Sequence, residues 1–228
     1  MFSSYPYLFA NILSVILIAV ASKKLLSPQQ NTLVFLGGLT SLLCFPFTFL
    51  FEGGYWAPVR LGGWALGIED ALCAYALGAM SWFATALFFG PVSRDAISFL
   101  EIFKRYSAVA GGSGIVFFTF YFLGVDIMSA YLLMCLIVGL VLFIRLRPLR
   151  KLALAGLWKF PILYLAIVKM YFLIWPNFVW QWNTSAPWGR LYFGLPLGEI
   201  AWAFGFAFYW PLFMGHVFKL KIASPNRL

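Results

Sequence analysis

Charged residues are scarce in this chain of 228 residues, and acidic residues are fewer than half as common as basic ones. Only 10% of the residues are charged and seven are acidic, whereas 63% are apolar. This composition leaves too little polar surface to coat a water-soluble globule, so it predicts an integral membrane protein. The formal charge is +9, but the basic residues fall in short clusters between long apolar runs. A nucleic-acid partner is therefore not expected.

Metal ligands and cofactor motifs are also missing from the sequence. The cysteines lie inside apolar runs without the spacing of a disulfide framework or a zinc site, and His216 has no partner cluster. No dinucleotide-binding glycine motif follows a strand pattern, and the HExxH and GxSxG motifs do not occur. The sequence therefore predicts no metal site, and any reaction is expected to need no cofactor.

Long apolar runs fill most of the chain. A membrane-spanning helix needs about 20 apolar residues, and seven runs of this kind can be placed. They cover residues 5–22, 31–51, 64–89, 107–124, 126–144, 160–176 and 188–214. The sequence therefore predicts an all-α membrane protein that folds as a seven-transmembrane-helix bundle.

The basic residues indicate the orientation of this bundle. With the N-terminus outside and the C-terminus inside, only Arg60 and Arg190 lie outside, and Lys169 falls within a helix. The cytoplasmic side then holds Lys23, Lys24, Arg94, Lys104, Arg105, Arg145, Arg147, Arg150, Lys151, Lys159, Lys219, Lys221 and Arg227. This excess of cytoplasmic positive charge is typical of membrane proteins and favours this orientation. We expect a multi-pass protein of the cell (plasma) membrane.

The third and seventh runs begin alike. RLGGWALGIEDAL starts at Arg60 and RLYFGLPLGEIAW starts at Arg190, and each places an acid nine residues after the arginine, at Glu69 and Glu199. The copies predict two parallel three-helix repeats within one membrane domain, residues 1–90 and 126–220, joined by a linking helix at 107–124. Parallel repeats of this kind commonly place a site at their interface.

Glu69, Asp70 and Glu199 are the candidate catalytic residues, because ionisable groups inside membrane helices are usually functional. Nine helical residues after the arginines would carry the carboxylates roughly 13 Å into the membrane. A carboxyl group in an apolar bundle can hold a proton and donate it. The alternative is that the acids form ion pairs that fix the helix register. The candidate charge partners are Arg60, Lys169 and Arg190.

An aromatic face accompanies Glu199 on the seventh run. At steps of three and four residues it comprises Trp202, Phe206, Tyr209 and Phe213, which are candidate substrate-binding residues. Aromatic faces attract cations and do not quench a carbocation as water does. Plain packing is the alternative in a chain that is 21% aromatic.

The segments LGIEDAL (66–72) and FGLPLGEIAWAF (193–204) resemble the repeated PxE(E/D) motif of the lycopene cyclase domain family. These are membrane-integral, non-flavin carotenoid cyclases, and this chain resembles their fused two-repeat form. The match departs from the motif at Gly67, where the motif has proline, and at Gly198, where it has its first acid. Two complete copies of the motif would contain four acids, whereas this chain has three, Glu69, Asp70 and Glu199.

The resemblance implies a redox-neutral isomerisation of a lipid-soluble polyene in the bilayer. A carboxylic acid protonates a terminal double bond of an acyclic carotenoid such as lycopene, the ring closes onto the cation, and a base removes a proton. We expect Glu199 and either Glu69 or Asp70 to be acid and base, without assigning which is which.

Two other functions fit the same residues. A related membrane terpenoid cyclase would act on a smaller prenylated substrate, and a non-catalytic protein would bind carotenoid or transport a solute through a proton relay. The residues identify neither the carotenoid nor the number of ends cyclised, and they leave open whether the chains form a homo-oligomer.

Overall fold

The computed structural model describes residues 4–87 and 92–222, and this part of the chain is mostly helical. Seven α-helices occur within these ranges. They are α1 (Pro6–Leu25), α2 (Pro28–Leu42), α3 (Ile68–Ala86), α4 (Phe99–Phe122), α5 (Ile127–Arg145), α6 (Arg150–Ile174) and α7 (Leu197–Val217). The short strands are β1 (Val92–Arg94), β2 (Leu191–Tyr192), β3 (Leu195–Pro196) and β4 (Leu220–Ile222).

Four of the described helical segments are long and apolar enough to cross a membrane: α1, α5, Arg147–Ile174, which contains α6, and α7. A fifth is α2 together with the 3-10 helix Phe45–Phe51, if this pair, bent by 54°, counts as one broken span. Helix α3 carries Glu69 and Asp70 in its first turn, and the start of α4 holds Glu101, Lys104 and Arg105. The described part of the chain is thus a mostly helical structure with four or five segments that are long and apolar enough to span a membrane.

Helices α3 and α7 begin later than the apolar runs predict, at residues 68 and 197 instead of 64 and 188. Gly62 and Gly63 have φ angles of 82° and 66°, which interrupt a helix before α3. Before α7 the chain forms the antiparallel β2–β3 hairpin, whose turn holds Phe193 and Gly194 at φ angles of 54° and 74°. These turns delay each helix, so that α3 begins eight positions after Arg60 and α7 begins seven positions after Arg190.

The linking helix is longer than the predicted range 107–124. Helix α4 begins at Phe99, because the Ser98 side chain caps it by accepting a hydrogen bond from the Glu101 backbone amide. Residues 88–90, at the end of the first predicted repeat, and Arg227 lie outside the described residues.

Helices α3 and α7 are the central elements of two groups. Helix α3 packs against α1 and α2, α7 packs against α5 and α6, and α3 also contacts α6 and α7. Trp210 of α7 donates its indole N–H to the Gly78 carbonyl of α3 (3.1 Å). Helix α4 packs on α5 and α7, and of its residues only Val109, Ser113 and Phe117 are buried. It therefore lies at the periphery.

At each end of the bundle, two segments from different halves of the chain are joined by backbone hydrogen bonds. At one end β1, after α3, pairs with β4, after α7. At the other end the loop after α2 meets the loop after α6: the Ala57 amide donates to the Gln181 carbonyl (2.7 Å), and the Asn183 amide donates to the Tyr55 carbonyl (2.9 Å). We call the joined loops, residues 52–67 and 175–196, the loop cap. It covers the N-terminal ends of α3 and α7.

Candidate functional site

The candidate acids lie in the first turns of α3 and α7, beneath the loop cap. Glu69 and Asp70 are the second and third residues of α3, and Glu199 is the third residue of α7. By helix position, Glu199 therefore corresponds to Asp70 and not to Glu69. The nine-residue spacing suggested otherwise because it treated the segments after Arg60 and Arg190 as helix. A helix N-terminus favours acidic side chains, since its backbone amides point outward.

Three neutral side chains donate hydrogen bonds to Glu199. Its Oε1 atom accepts from the Tyr55 hydroxyl (2.8 Å) and from the Trp182 indole N–H (2.9 Å), and its Oε2 atom accepts from the Tyr164 hydroxyl. Across the described ranges no cationic side chain forms an ion pair with Glu199. The carboxyl group is thus fixed in position by donors that can serve both its neutral and its ionised form.

Asp70 has a different environment, because a buried arginine is its partner. The Arg60 guanidinium donates to both carboxylate oxygens of Asp70 (2.7 and 3.2 Å) and to Glu52 (2.9 Å). The Gly67 amide (2.8 Å) and the Tyr7 hydroxyl (3.2 Å) complete the shell of Asp70. A guanidinium stays charged, so this geometry stabilises Asp70 as a carboxylate. The Arg60–Asp70 pair joins the loop cap to the start of α3.

Glu69 also turns toward the loop cap. Its Oε1 atom accepts from the Leu61 backbone amide (2.5 Å), and the side chain is fully buried. The backbone carbonyl of Glu69 accepts from the Asn11 side chain of α1 (3.3 Å). These contacts fix the loop between Arg60 and α3.

Lys169 and Arg190 lie away from the acids. Both are exposed, and the Lys169 ammonium donates to the Phe193 carbonyl in the β2–β3 turn (2.9 Å). Neither forms an ion pair with a carboxylate in residues 4–87 and 92–222. Of the three candidate charge partners, the structure therefore brings only Arg60 against a candidate acid. The hairpin before α7 holds Arg190 at the surface.

A cavity of about 760 Å³ runs through the bundle beside α7. Its lining includes the whole aromatic face expected from the sequence: Trp202, Phe206, Tyr209 and Phe213. Glu199 is the one charged residue among the described residues that line it, whereas Glu69 and Asp70 do not line it. Tyr7 lines the cavity and separates it from Asp70. The cavity is thus an apolar space with a single carboxyl group near one end.

The aromatic side chains form a continuous stack away from Glu199. Ring centroids are 4.9 Å apart between Trp202 and Phe206, and 5.0 Å apart between Phe206 and Trp210. Trp210 stacks on Phe213 at 4.9 Å, and Tyr164 adds a ring 5.2 Å from Trp202. Phe213 follows Glu199 by fourteen positions, which correspond to roughly 21 Å of helix. The wall is therefore long enough for an extended hydrocarbon chain.

The sequence did not reveal the side chains that hold Glu199. Tyr55 and Trp182 lie in the segments between predicted helices, at residues 52–63 and 177–187, but both are buried. Each lies in the loop cap and turns its polar atom inward to Glu199. Their only sequence signal is their position in the two loops that precede α3 and α7. Tyr164, on α6, carries no such signal.

Gly198 stands where the motif has its first acid, and the structure supplies a steric reason. A Cβ atom at position 198 would lie 2.6 Å from the ring of Tyr55. The space beside Glu199 is filled by the tyrosine that donates to it. An acidic side chain at position 198 would displace Tyr55 and so break its hydrogen bond to Glu199.

Electrostatics in the loop cap support these roles. Burial, and then the neighbouring Glu199, raise the pKa of the Tyr55 phenol well above its usual range, so Tyr55 remains a donor. For Arg60, burial lowers the pKa, but the hydrogen bonds to Asp70 and Glu52 outweigh this effect, and the net shift of the pKa is upward.

The described residues contain no group of three or more metal-ligating side chains.

Comparison with protein-family models, with curated proteins and with solved structures finds no match to this chain. Its function is therefore inferred from the geometry of the site and from the motif resemblance.

Proposed function

We propose that this protein is a carotenoid cyclase that closes a ring at the end of an acyclic carotenoid such as lycopene. The observation that carries the proposal is the single carboxyl group, Glu199, at one end of a long aromatic cavity. Cyclisation of a polyene needs a proton donor, a dry space and a wall that tolerates a carbocation. The cavity offers a carboxyl group, apolar walls and aromatic faces.

The reaction begins when the Glu199 carboxylic acid transfers its proton to the terminal double bond of the bound polyene. The adjacent carbon becomes a cation, and a second double bond of the same chain attacks it, so that one carbon–carbon bond forms and closes the ring. Loss of a proton from a carbon beside the new cation restores a double bond. The substrate gains one proton and loses one, so the product is an isomer of the substrate and nothing is oxidised or reduced.

Glu199 serves as both acid and base in this mechanism. After the first transfer its carboxylate is the one anionic group of the described cavity lining, and Tyr55, Tyr164 and Trp182 stabilise the negative charge through hydrogen bonds. Asp70 is held by Arg60 and lies behind Tyr7. We therefore assign Asp70 and Glu69 to holding the loop cap and not to proton transfer.

The aromatic rings stabilise the cation. Trp202, Tyr164 and Phe206 lie next to Glu199 along the cavity and present π faces that attract positive charge by up to about 2 kcal/mol when desolvated. The loop cap excludes water, which would otherwise add to the cation.

A second candidate is a cyclase for a smaller prenylated substrate with a polar head. Away from Glu199 the cavity contains the paired hydroxyl groups of Ser113 and Tyr209 (3.0 Å), which can hydrogen-bond a substrate oxygen. A screen of prenylated alcohols and quinols with the purified protein tests this function, and a cyclised product from one of them alone would favour it over the carotenoid.

The proposal includes the membrane topology. Seven spans with the N-terminus outside would place the basic clusters of the described chain in the cytoplasm of a cell whose plasma membrane holds the protein. Helices α3 and α4 would cross the bilayer with their charged first turns at its edges. A C-terminal green fluorescent protein fusion should fluoresce, and a C-terminal alkaline phosphatase fusion should be inactive. The reverse result would contradict this orientation.

The decisive experiment is carotenoid analysis of a lycopene-accumulating bacterial host that expresses the chain. The unaltered chain should yield cyclic carotenoid, and Glu199→Gln should lower the yield by ~100-fold or more, the usual contribution of a general acid. Glu101→Gln is the matched control, because Glu101 is a half-buried acid that pairs with Arg105 on α4 and does not line the cavity. Unchanged lycopene with well-expressed unaltered protein would refute the cyclase, and pigment bound without turnover would instead favour a carotenoid-binding protein.

A further inference from the structure

The cavity beside α7 opens to the outside at one place. Among the described residues that line it, all but four are buried or half-buried. The four exposed residues are Leu43, Cys44, Phe47 and Gly111. Three of them belong to the segment just after α2 and the fourth belongs to α4. The opening therefore lies on the side of the bundle, between these two segments.

The first wall of the opening results from a break in the second span. Helix α2 ends at Leu42, and the 3-10 helix that begins at Phe45 bends away by 54°. Pro46 has no backbone N–H and cannot continue the α-helical hydrogen bonds. The 3-10 helix buries none of its residues, although its side chains are almost all apolar. This segment thus presents hydrocarbon surface outward.

Helix α4 forms the second wall and carries small residues at the opening. Gly111 and Gly114 line the cavity, and a Cβ atom at either position would meet nothing within 4 Å. Side chains of the two walls meet beside the opening. Phe47 and Phe118 have ring centroids 6.3 Å apart, the Cys44 sulfur lies 3.8 Å from the Tyr106 hydroxyl, and this hydroxyl donates to the Thr40 carbonyl of α2 (3.4 Å). Because the two glycines carry no side chain, the space between these contacts stays open.

The ends of the bundle are more firmly closed. The loop cap joins its two loops by backbone hydrogen bonds beside Trp56 and Trp182. At the other end β1 pairs with β4, and Arg105 donates to the His216 carbonyl (3.2 Å). A molecule that enters through either end has to break these contacts, whereas the side opening is already present.

We propose that this opening is a lateral portal through which an apolar polyene enters the cavity directly from the hydrocarbon core of the bilayer. The proposal rests on the proposed function in taking the ligand to be a lipid-soluble chain. Tyr209 contacts Ser113 and Phe213 contacts Tyr106, so the portal lies level with this part of α7. Glu199 is ten residues earlier, about 15 Å along the helix. The substrate therefore inserts by its end and reaches the acid with its terminal double bond.

Leucine substitutions on α4 test the portal. Gly111→Leu combined with Gly114→Leu places two side chains in the opening, whereas Gly112→Leu puts the same side chain on α4 at a position that does not line the cavity. At each of the three glycines a Cβ atom would meet nothing within 4 Å. Leucine also favours a helix more than glycine does. Both variants are thus expected to fold, and thermal unfolding in detergent checks this directly.

The measurement uses the full chain in liposomes with a prenyl chain that carries a photoreactive diazirine. After illumination, mass spectrometry maps the cross-links on α7 between Trp202 and Phe213. A blocked portal slows entry without changing the equilibrium occupancy, so samples are illuminated at successive short times after the probe is added. We expect cross-links to appear ~10-fold more slowly in the double variant, the effect on a rate of a barrier as large as one misfitted side chain creates. Gly112→Leu should keep the rate of the unaltered chain.

The outcomes separate the portal from the cyclase. Equal rates of cross-linking in the double variant and in Gly112→Leu would overturn the portal, whatever the chain catalyses. Slower cross-linking in a chain that forms no cyclic carotenoid would support the portal and refute the cyclase. Slower cross-linking together with reduced product, against normal values for Gly112→Leu, would support both.

Discussion

Tyr55 donates a hydrogen bond of 2.8 Å to Glu199 across 144 positions of sequence, and its ring occupies the space that a side chain at position 198 would need. One residue of the loop after α2 therefore both holds the candidate acid of α7 and replaces the acid that the motif would place before it. The two halves of the chain meet at this contact, so the site belongs to neither half alone.

The hydrogen bonds to Glu199 predict that Tyr164 contributes to turnover. Tyr164→Phe removes the donor to Oε2 and keeps the ring against Trp202. A hydrogen bond to a charged group is worth about 1.5–3 kcal/mol, so cyclic product should fall by ~10-fold or more while the melting temperature changes little. Tyr192→Phe, at an exposed tyrosine of β2, is the control. Full turnover in Tyr164→Phe would show that this donor plays no part in the reaction.

The Arg60–Asp70 pair predicts a stability effect. Asp70→Asn leaves the buried Arg60 guanidinium with Glu52 as its remaining carboxylate, and breaking a buried pair of this kind costs about 3–5 kcal/mol. Thermal unfolding in detergent should show this loss, while turnover per folded molecule stays close to normal.

Glu69→Gln should be milder than Asp70→Asn, because a side-chain amide oxygen can still accept from the Leu61 amide. We expect normal turnover. If either variant instead folds with unchanged stability and forms no product, the assignment of both acids to the loop cap is wrong.

The crowding at Gly198 predicts that even one added carbon is harmful. In Gly198→Ala the new Cβ atom overlaps the Tyr55 ring, and overpacking of this kind costs about 1–3 kcal/mol. Tyr55 is then displaced from Glu199, so both the melting temperature and turnover should fall. Gly112→Ala is the control, since open space surrounds that position. An unchanged melting temperature for Gly198→Ala would contradict the packing argument.

The ion pairs of Asp95, at the end of the bundle where β1 pairs with β4, predict that stability depends on pH. The hydrogen bond from Lys221 lowers the pKa of Asp95, and the charges of Lys221 and Lys219 act in the same direction. In the folded chain the pKa of Asp95 is lower than in the unfolded chain. The ion pair therefore contributes its full stabilisation at pH values above the unfolded-state pKa, and this stabilisation is lost as the pH falls through the folded-state pKa.

The melting temperature of Asp95→Asn should therefore lie slightly below that of the unaltered chain at neutral pH, and the two should converge in strong acid. The difference should be small and should shrink with salt, because both lysines are exposed and Asp95 is only half-buried. A difference that persists after Asp95 is protonated would have another cause.

Several features of the fold follow from composition and periodicity. Apolar runs of about 20 residues predicted helices at all seven places where the described chain has an α-helix, because a hydrocarbon environment strongly favours backbone groups that are satisfied within one segment. Steps of three and four residues placed Trp202, Phe206, Tyr209 and Phe213 on the face that lines the cavity. The starts of α3 and α7 were misplaced because hydropathy does not register the left-handed residues Gly62 and Phe193.

Residues a few positions apart are enough to indicate which segments are apolar helices and which face of α7 carries the aromatic side chains. The pairing of Asp70 with Arg60, the hydrogen bonds from Tyr55, Tyr164 and Trp182 to Glu199, and the presence of Glu199 but not of Glu69 or Asp70 in the cavity lining are visible only in the folded chain. These contacts depend on how the helices pack and how the loop cap folds over them. Local periodicity carries no information about such distances, because side chains far apart in sequence meet only after the bundle has closed.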